Sequence, residues 1–300
     1  MSPVRPVSRE LKYEGIAAFA VGVIAVGLVA IICHNPRMPM RRLAEERSKL
    51  FDQQAECYDR CRPTYPGAVI DELLSPEPAG LDVLDVGCGT GIASRQMAEQ
   101  GANVLGVEVA PRMAEIARNH GIEVEVDAFE DWDAAGRTFD RVISAQAWHW
   151  LDLPLSTAKA ASLLRPGGRL CLIWSAGCHP DDLADALAEV YARSFPTVGN
   201  AGFGYAASRP TDRRTGLTSV VEAIAAVPEF GAATENWFPW AREYDRNQWL
   251  DLLLTRSDHV ALHSAVRERL LEAIGAAIDD HGGSFVMSFE TGLITATRLE

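Results

Sequence analysis

Between positions 81 and 174 the apolar residues fall into two alternating rhythms. Short apolar runs at 81–86, 103–108, 122–126, 139–145 and 168–174 read as strands, and helical spacing marks 92–100, 110–119 and 155–164. Strands and helices in strict alternation with short connections predict an α/β fold, a mostly parallel sheet with helices on both faces. Upstream, a charged helical pattern over 43–60 ends at Arg62-Pro63-Thr64-Tyr65-Pro66, which must leave the helix. A short helix is expected over 68–74, and Pro76, Pro78 and Gly80 mark a boundary. Downstream, 181–195 is helical and 196–216 loop-like. A strand follows at 234–244, then helices at 246–254 and 262–280. Gly282-Gly283 turns the chain into a last strand at 285–298. The organisation expected is an extension over 1–40 and one domain over 41–300. That domain has an N-terminal helical cap and, over about 176–233, an insertion that caps one side of it.

Composition changes this picture in three respects. A chain of 300 residues, 48% hydrophobic, is long enough for one substantial core. Its 28 basic residues are outnumbered by 41 acidic ones, giving a net charge of -13, so nothing favours a nucleic-acid partner. Cysteines at 33, 57, 61, 88, 171 and 178 form no CxxC pair, so no metal site is expected and the thiols read as reduced, in a cytosolic compartment. Residues 15–33 carry no charge, and at ~1.5 Å per residue they nearly cross a bilayer core of ~30 Å. Two readings stand side by side. One is a membrane anchor that keeps the folded domain on the cytoplasmic face, because Arg37, Arg41, Arg42, Arg47 and Lys49 follow it. The other is a start codon assigned too far upstream, with Met38 or Met40 as the working start. The pattern carries no signal for oligomeric state.

The candidate chemistry gathers at strand ends. Leu84-Asp85-Val86-Gly87-Cys88-Gly89-Thr90-Gly91 is a glycine-rich turn that lets the backbone pass close to a ligand, so Asp85, Gly87, Cys88, Gly89, Thr90 and Gly91 are candidate binding residues. A dinucleotide-binding GxGxxG would need its third glycine at Ile92 rather than Gly91, which disfavours a nicotinamide dehydrogenase. Glu108 closes the second strand where an acidic residue meets ribose hydroxyls. Asp127 follows the third strand, placed to accept an adenine amino group while Ala128 and Phe129 flank the ring. The acidic residues Asp85, Glu108 and Asp127, one at each successive strand end, point to an adenosine-like ligand.

These motifs, in this order, resemble the class I S-adenosylmethionine (SAM)-dependent methyltransferases. The resemblance is to the type 11 branch, which includes enzymes similar to trans-aconitate methyltransferase. It rests on Tyr58-Asp59-Arg60 with the segment 62–66, LDVGCGTG at 84–91, and Val107-Glu108-Val109-Ala110-Pro111-Arg112-Met113. FDRVISAQAWHWLD at 139–152 and LLRPGGRLCLIW at 163–174 complete it. The resemblance implies a Rossmann-like seven-stranded sheet of order 3-2-1-4-5-7-6 with the last strand antiparallel, and SAM as cofactor. It implies that Gly87, Gly89, Glu108, Asp127 and Gln146 line the SAM pocket, with Val109 and Met113 from the second motif. Tyr58 and Arg62 would close over the methionine end, Arg62 meeting its carboxylate. The acceptor would be a small molecule, with an oxygen nucleophile preferred; the alternative is a SAM-binding sensor or scaffold without turnover. His149 reads either as a general base in contact with substrate or as a histidine packed between tryptophans. Trp148 reads as a sulfonium or substrate contact or as core. Arg209, with Arg213 and Arg214, reads as a clamp on an acidic acceptor or as solvated loop charge. Trp237, Trp240 and Trp249 are expected to pack the substrate-side cap.

Overall fold

The structure, a computed structural model, describes residues 49, 51–194, 217–260 and 262–300. The apolar stretch 15–33 and the arginines 209, 213 and 214 lie outside the described residues. Two cap helices, α1 (Ala55–Cys61) and α2 (Gly67–Leu74), precede the sheet. Then come β1 (Asp82–Val86), α3 (Ile92–Glu99), β2 (Asn103–Glu108), α4 (Pro111–Asn119), β3 (Glu123–Val126) and β4 (Phe139–Ala145). A 3-10 turn (Trp148–Trp150) and α5 (Leu153–Leu163) lead into β5 (Leu164–Cys178) and α6 (Asp181–Ser194). The C-terminal part holds α7 (Thr218–Ala225), β6 (Thr234–Asp245), α8 (Arg246–Leu253), α9 (Ser257–Val260), α10 (Ser264–Asp280) and β7 (Ser284–Thr297). Local chemistry sets several of these starts. Pro111 opens α4 without losing a needed donor, Asp152 caps α5 through Leu155 N–H, and Asp245 with Gln248 forms a capping box on α8.

The seven strands form one sheet in the order β3-β2-β1-β4-β5-β7-β6. The pairs from β3 to β5 are parallel, and β7 runs antiparallel to both β5 and β6, as the resemblance implies. One face is covered by α2 and α3, which pack Val69, Ile70, Leu73 and Met97 on Val83, Ile143 and Ile173. The other carries α5, α7 and the loop with Phe129 and Trp132, packed on Leu84, Val107, Val142 and Leu172. A further core, built from α6, α8 and α10, closes on Tyr244, Phe285, Met287 and Phe289 of the two outermost strands.

Three elements differ from the sequence reading. β5 spans 15 residues instead of the expected seven, because it already begins at Leu164, beside the C-terminal end of β7, and runs on past Trp174 to Cys178 paired with β7. The expected helix over 43–60 is helical through Ala55–Cys61 and its lead-in at residues 51–52. Helix α7 was not foreseen: it has no side-chain N-cap, and its Val220-Val221 pair reads as strand.

Candidate functional site

Because β1 to β4 run parallel, the loops after Val86, Glu108, Val126 and Ala145 emerge on one edge of the sheet. They enclose a solvent-open cleft of about 760 Å³. Its walls include Gly87, Gly89, Glu108, Val109, Met113, Asp127, Ala128, Phe129 and Gln146, all expected from the sequence. A smaller hollow of about 330 Å³ shares Tyr58, Gly87, Gly89 and Ala145 with the cleft and adds Asp85, Cys88 and Thr90.

The turn keeps this edge open. Gly87 has φ +69°, and a Cβ there would stand 2.5 Å from Cβ of Ala147. No other residue fits at that position. On β2, a Cβ at Gly106 would fall 2.5 Å from Sγ of Cys88, so that glycine makes room for the turn as well. Glu108 ties turn to strand: Oε2 accepts the Gly89 N–H and Oε1 the Ala110 N–H, each at 2.8 Å. Burial raises its pKa, and the backbone donors at Ala110, Gly89 and Val109 oppose the shift. The two oxygens together offer about four acceptor positions, so with three backbone donors engaged one remains for a further donor.

Asp85 is 1% exposed. Its Oδ2 accepts the Ser94 hydroxyl at 2.6 Å, and its Oδ1, at the smaller hollow, has no hydrogen-bond partner. Burial pushes its pKa up to about 7, with Ser94 pulling it down and the Glu108 charge adding to the rise. Asp127 is exposed and accepts the Ala128 N–H at 2.8 Å. Gln146 takes the left-handed conformation at φ +61°, and its Nε2 donates to the Ser175 carbonyl at 2.9 Å. A non-glycine residue held there stores backbone strain at the cleft.

The remaining candidates sit elsewhere. Trp148 is a correction: its ring is fully buried in the core, 6.0 Å from Phe129, and is not part of the cleft wall. The 3-10 turn swings successive side chains by about 120°, so Trp150, two residues on, lines the cleft instead. His149 lies outside the lining between two residues that contribute to it, Ala147 and Trp150. Its Nδ1 accepts the indole N–H of Trp174 at 3.3 Å. An indole nitrogen only donates, so the neutral imidazole carries its proton on Nε2. Arg62 turns away from the cleft, its Nε donating to Thr255 Oγ1 at 2.8 Å and its Nη2 to the Thr255 carbonyl at 3.0 Å. Its guanidinium also covers the Tyr58 ring at 4.7 Å. Gly91 starts α3 at φ +80° and packs against Ala117, serving the turn rather than the wall.

Sequence reasoning missed Phe51, Glu130, Trp150 and Leu151 in the lining. Phe51 was legible in one respect: it lies seven residues before Tyr58, a helical two-turn spacing, and the rings meet edge to face at 6.4 Å. Trp150 meets Phe51 in turn at 6.1 Å, so the three rings form an aromatic roof.

Residues 83–168 match the methyltransferase-domain family. An uncharacterized methyltransferase of Mycobacterium tuberculosis is 28% identical over 79% of this chain and 88% of its own length. A ubiquinone biosynthesis O-methyltransferase of Xanthomonas axonopodis pv. citri is 44% identical, but over 32% of this chain and 44% of that protein. Among solved structures, a candidate type II methyltransferase of Anaeromyxobacter dehalogenans superposes with TM-score 0.57 at 22% identity, covering 79% of this chain and 98% of that one. The phosphoethanolamine N-methyltransferase 2 of Haemonchus contortus, solved with S-adenosylhomocysteine, gives TM-score 0.51 at 14% identity over 88% of this chain and 61% of that one.

Proposed function

The chain belongs to the class I SAM-dependent methyltransferases, and from that premise we propose that it methylates an oxygen nucleophile on a small-molecule acceptor. The observation that carries the cofactor half is the convergence of Gly87, Glu108 and Asp127, from three strand ends, on one cleft. These residues fit SAM. Glu108 has acceptor capacity left for a ribose hydroxyl, Asp127 offers a carboxylate to an adenine amino group, and Ala128 and Phe129 supply apolar surface. The unpartnered Oδ1 of Asp85 suits the ammonium at the methionine end. When bound, SAM supplies an electrophilic methyl group and a thioether leaving group. The protein's tasks are then to orient the acceptor and exclude water, for which the roof of Phe51, Tyr58 and Trp150 is placed over the cleft.

The preference for oxygen follows from the resemblance to the trans-aconitate branch. A carboxylate or an acidic hydroxyl brings its own reactive lone pair at neutral pH, so the protein need not remove a proton from it. The O-methyltransferase relatives point the same way, over 32% of this chain.

The test is a screen with methyl-labelled SAM against panels of carboxylates, phenols, amines and thiols, reading labelled product and S-adenosylhomocysteine. Turnover confined to the first two panels is expected. Labelling of amines or thiols alone would overturn the oxygen reading, and failure of SAM to protect the protein thermally would overturn the cofactor reading.

A further inference from the structure

Lys159 is one of three lysines among 28 basic residues, and it stands behind the cleft wall that carries Asp127, Ala128 and Phe129. Residues 128–132 form a single tight turn in which the Asp131 and Trp132 N–H groups return to the Ala128 carbonyl. Such a turn leaves later carbonyls without partners from the backbone. Lys159, on α5, supplies them: its Nζ donates to the Glu130 carbonyl at 3.3 Å and to the Trp132 carbonyl. The same ammonium lies 5.2 Å from the centre of the Phe129 ring and 5.8 Å from that of Trp132. A second tie joins the loop to the start of α5, where the Asp152 N–H donates to Glu130 Oε1 at 3.1 Å.

We infer that Lys159 is a positioning residue for the cofactor: it holds the β3–β4 turn so that Asp127 and Phe129 stand where the purine of SAM binds. The inference rests on the SAM reading above. Lysine suits the position because two carbonyls and two ring faces converge on one nitrogen. An ammonium offers three donors around a single point, whereas a guanidinium is planar and its donors are spread across a fork. The side chain reaches neither lobe of the cleft, so its effect on a ligand passes through the turn.

The test compares Lys159→Met and Lys159→Arg with the wild type in calorimetric binding of S-adenosylhomocysteine and of adenosine, with melting temperatures alongside. Arg165→Met is the control, because it breaks ion pairs to Asp82 and Asp140 on the opposite edge of the sheet. Lys159→Met is expected to weaken both ligands by the same factor, about tenfold, since both carry the purine. Arg165→Met is expected to lower the melting temperature without changing either affinity. Lys159→Arg keeps the charge and serves should the methionine variant not fold; a severalfold loss of affinity with little change in melting temperature is expected. Affinities within twofold of wild type in the variant that folds would overturn the inference, as would losses that merely track melting temperature in all three variants. If the wild type binds neither ligand, the SAM reading falls and this role falls with it.

Discussion

Asp85 is the residue at which binding and protonation are coupled most directly. Its pKa stands at about 7 in the folded protein against an ordinary 3.8. Because the folded value is raised, this carboxyl supports the fold fully at low pH, and that support is lost as pH climbs through about 7. A cation bound beside Oδ1 favours the ionised form, so ligand uptake expels a proton. SAM affinity measured by calorimetry is therefore expected to tighten between about pH 6 and pH 8, and Asp85→Asn should weaken binding and flatten the profile. A profile that the substitution leaves unchanged would sink the assignment. Gly87→Ala places a methyl group 2.5 Å from Ala147, and it is expected to weaken SAM more than tenfold with retained secondary structure by circular dichroism. At this scale the sequence was legible where backbone constraint and charge coincide, as at Gly87, Glu108 and Asp127. It misled at Trp148 and Arg62, whose types suggested chemistry while core packing held the one and the Thr255 acceptors held the other.

Element boundaries were readable wherever caps and periodicity agreed, and the five strands from β1 to β5 were all anticipated. The failures have a common cause: in β5 and α7 tertiary partners override local preference. β5 extends beyond its apolar run at both ends because β7 is laid beside it. Another element-level device was invisible in the sequence. Arg141 donates to the carbonyls of Leu73, Ser75 and Asp140, and Arg169 to those of Leu73 and Ser75. Two guanidiniums thus close the C-terminal end of α2 where its carbonyls would otherwise be left bare. Burial, with the charge of Arg169, holds the Arg141 pKa below its usual value. Arg141→Met is expected to cost roughly 2–4 kcal/mol in urea unfolding. SAM affinity should stay unchanged, since α2 does not line the cleft; a cost below about 0.5 kcal/mol would refute the capping role.

For the whole molecule, the two readings of residues 15–33 part at one measurement. If they form an anchor, the full chain sediments with membranes in high salt and a chain beginning at Met40 stays in the supernatant. Recovery of both in the supernatant would rule the anchor out. The mostly parallel α/β architecture was legible in the alternation of strands and helices, and the strand order came with the family resemblance. The cap was less so, because α6, α8 and α10 bury their own apolar residues against β6 and β7 in a core separate from those flanking β1 to β5. That separation has a consequence for descent. Selection can rewrite the helices of one core without disturbing the packing that supports the glycine turn. A lineage built this way is free to change what it modifies while inheriting unchanged the means of modifying it.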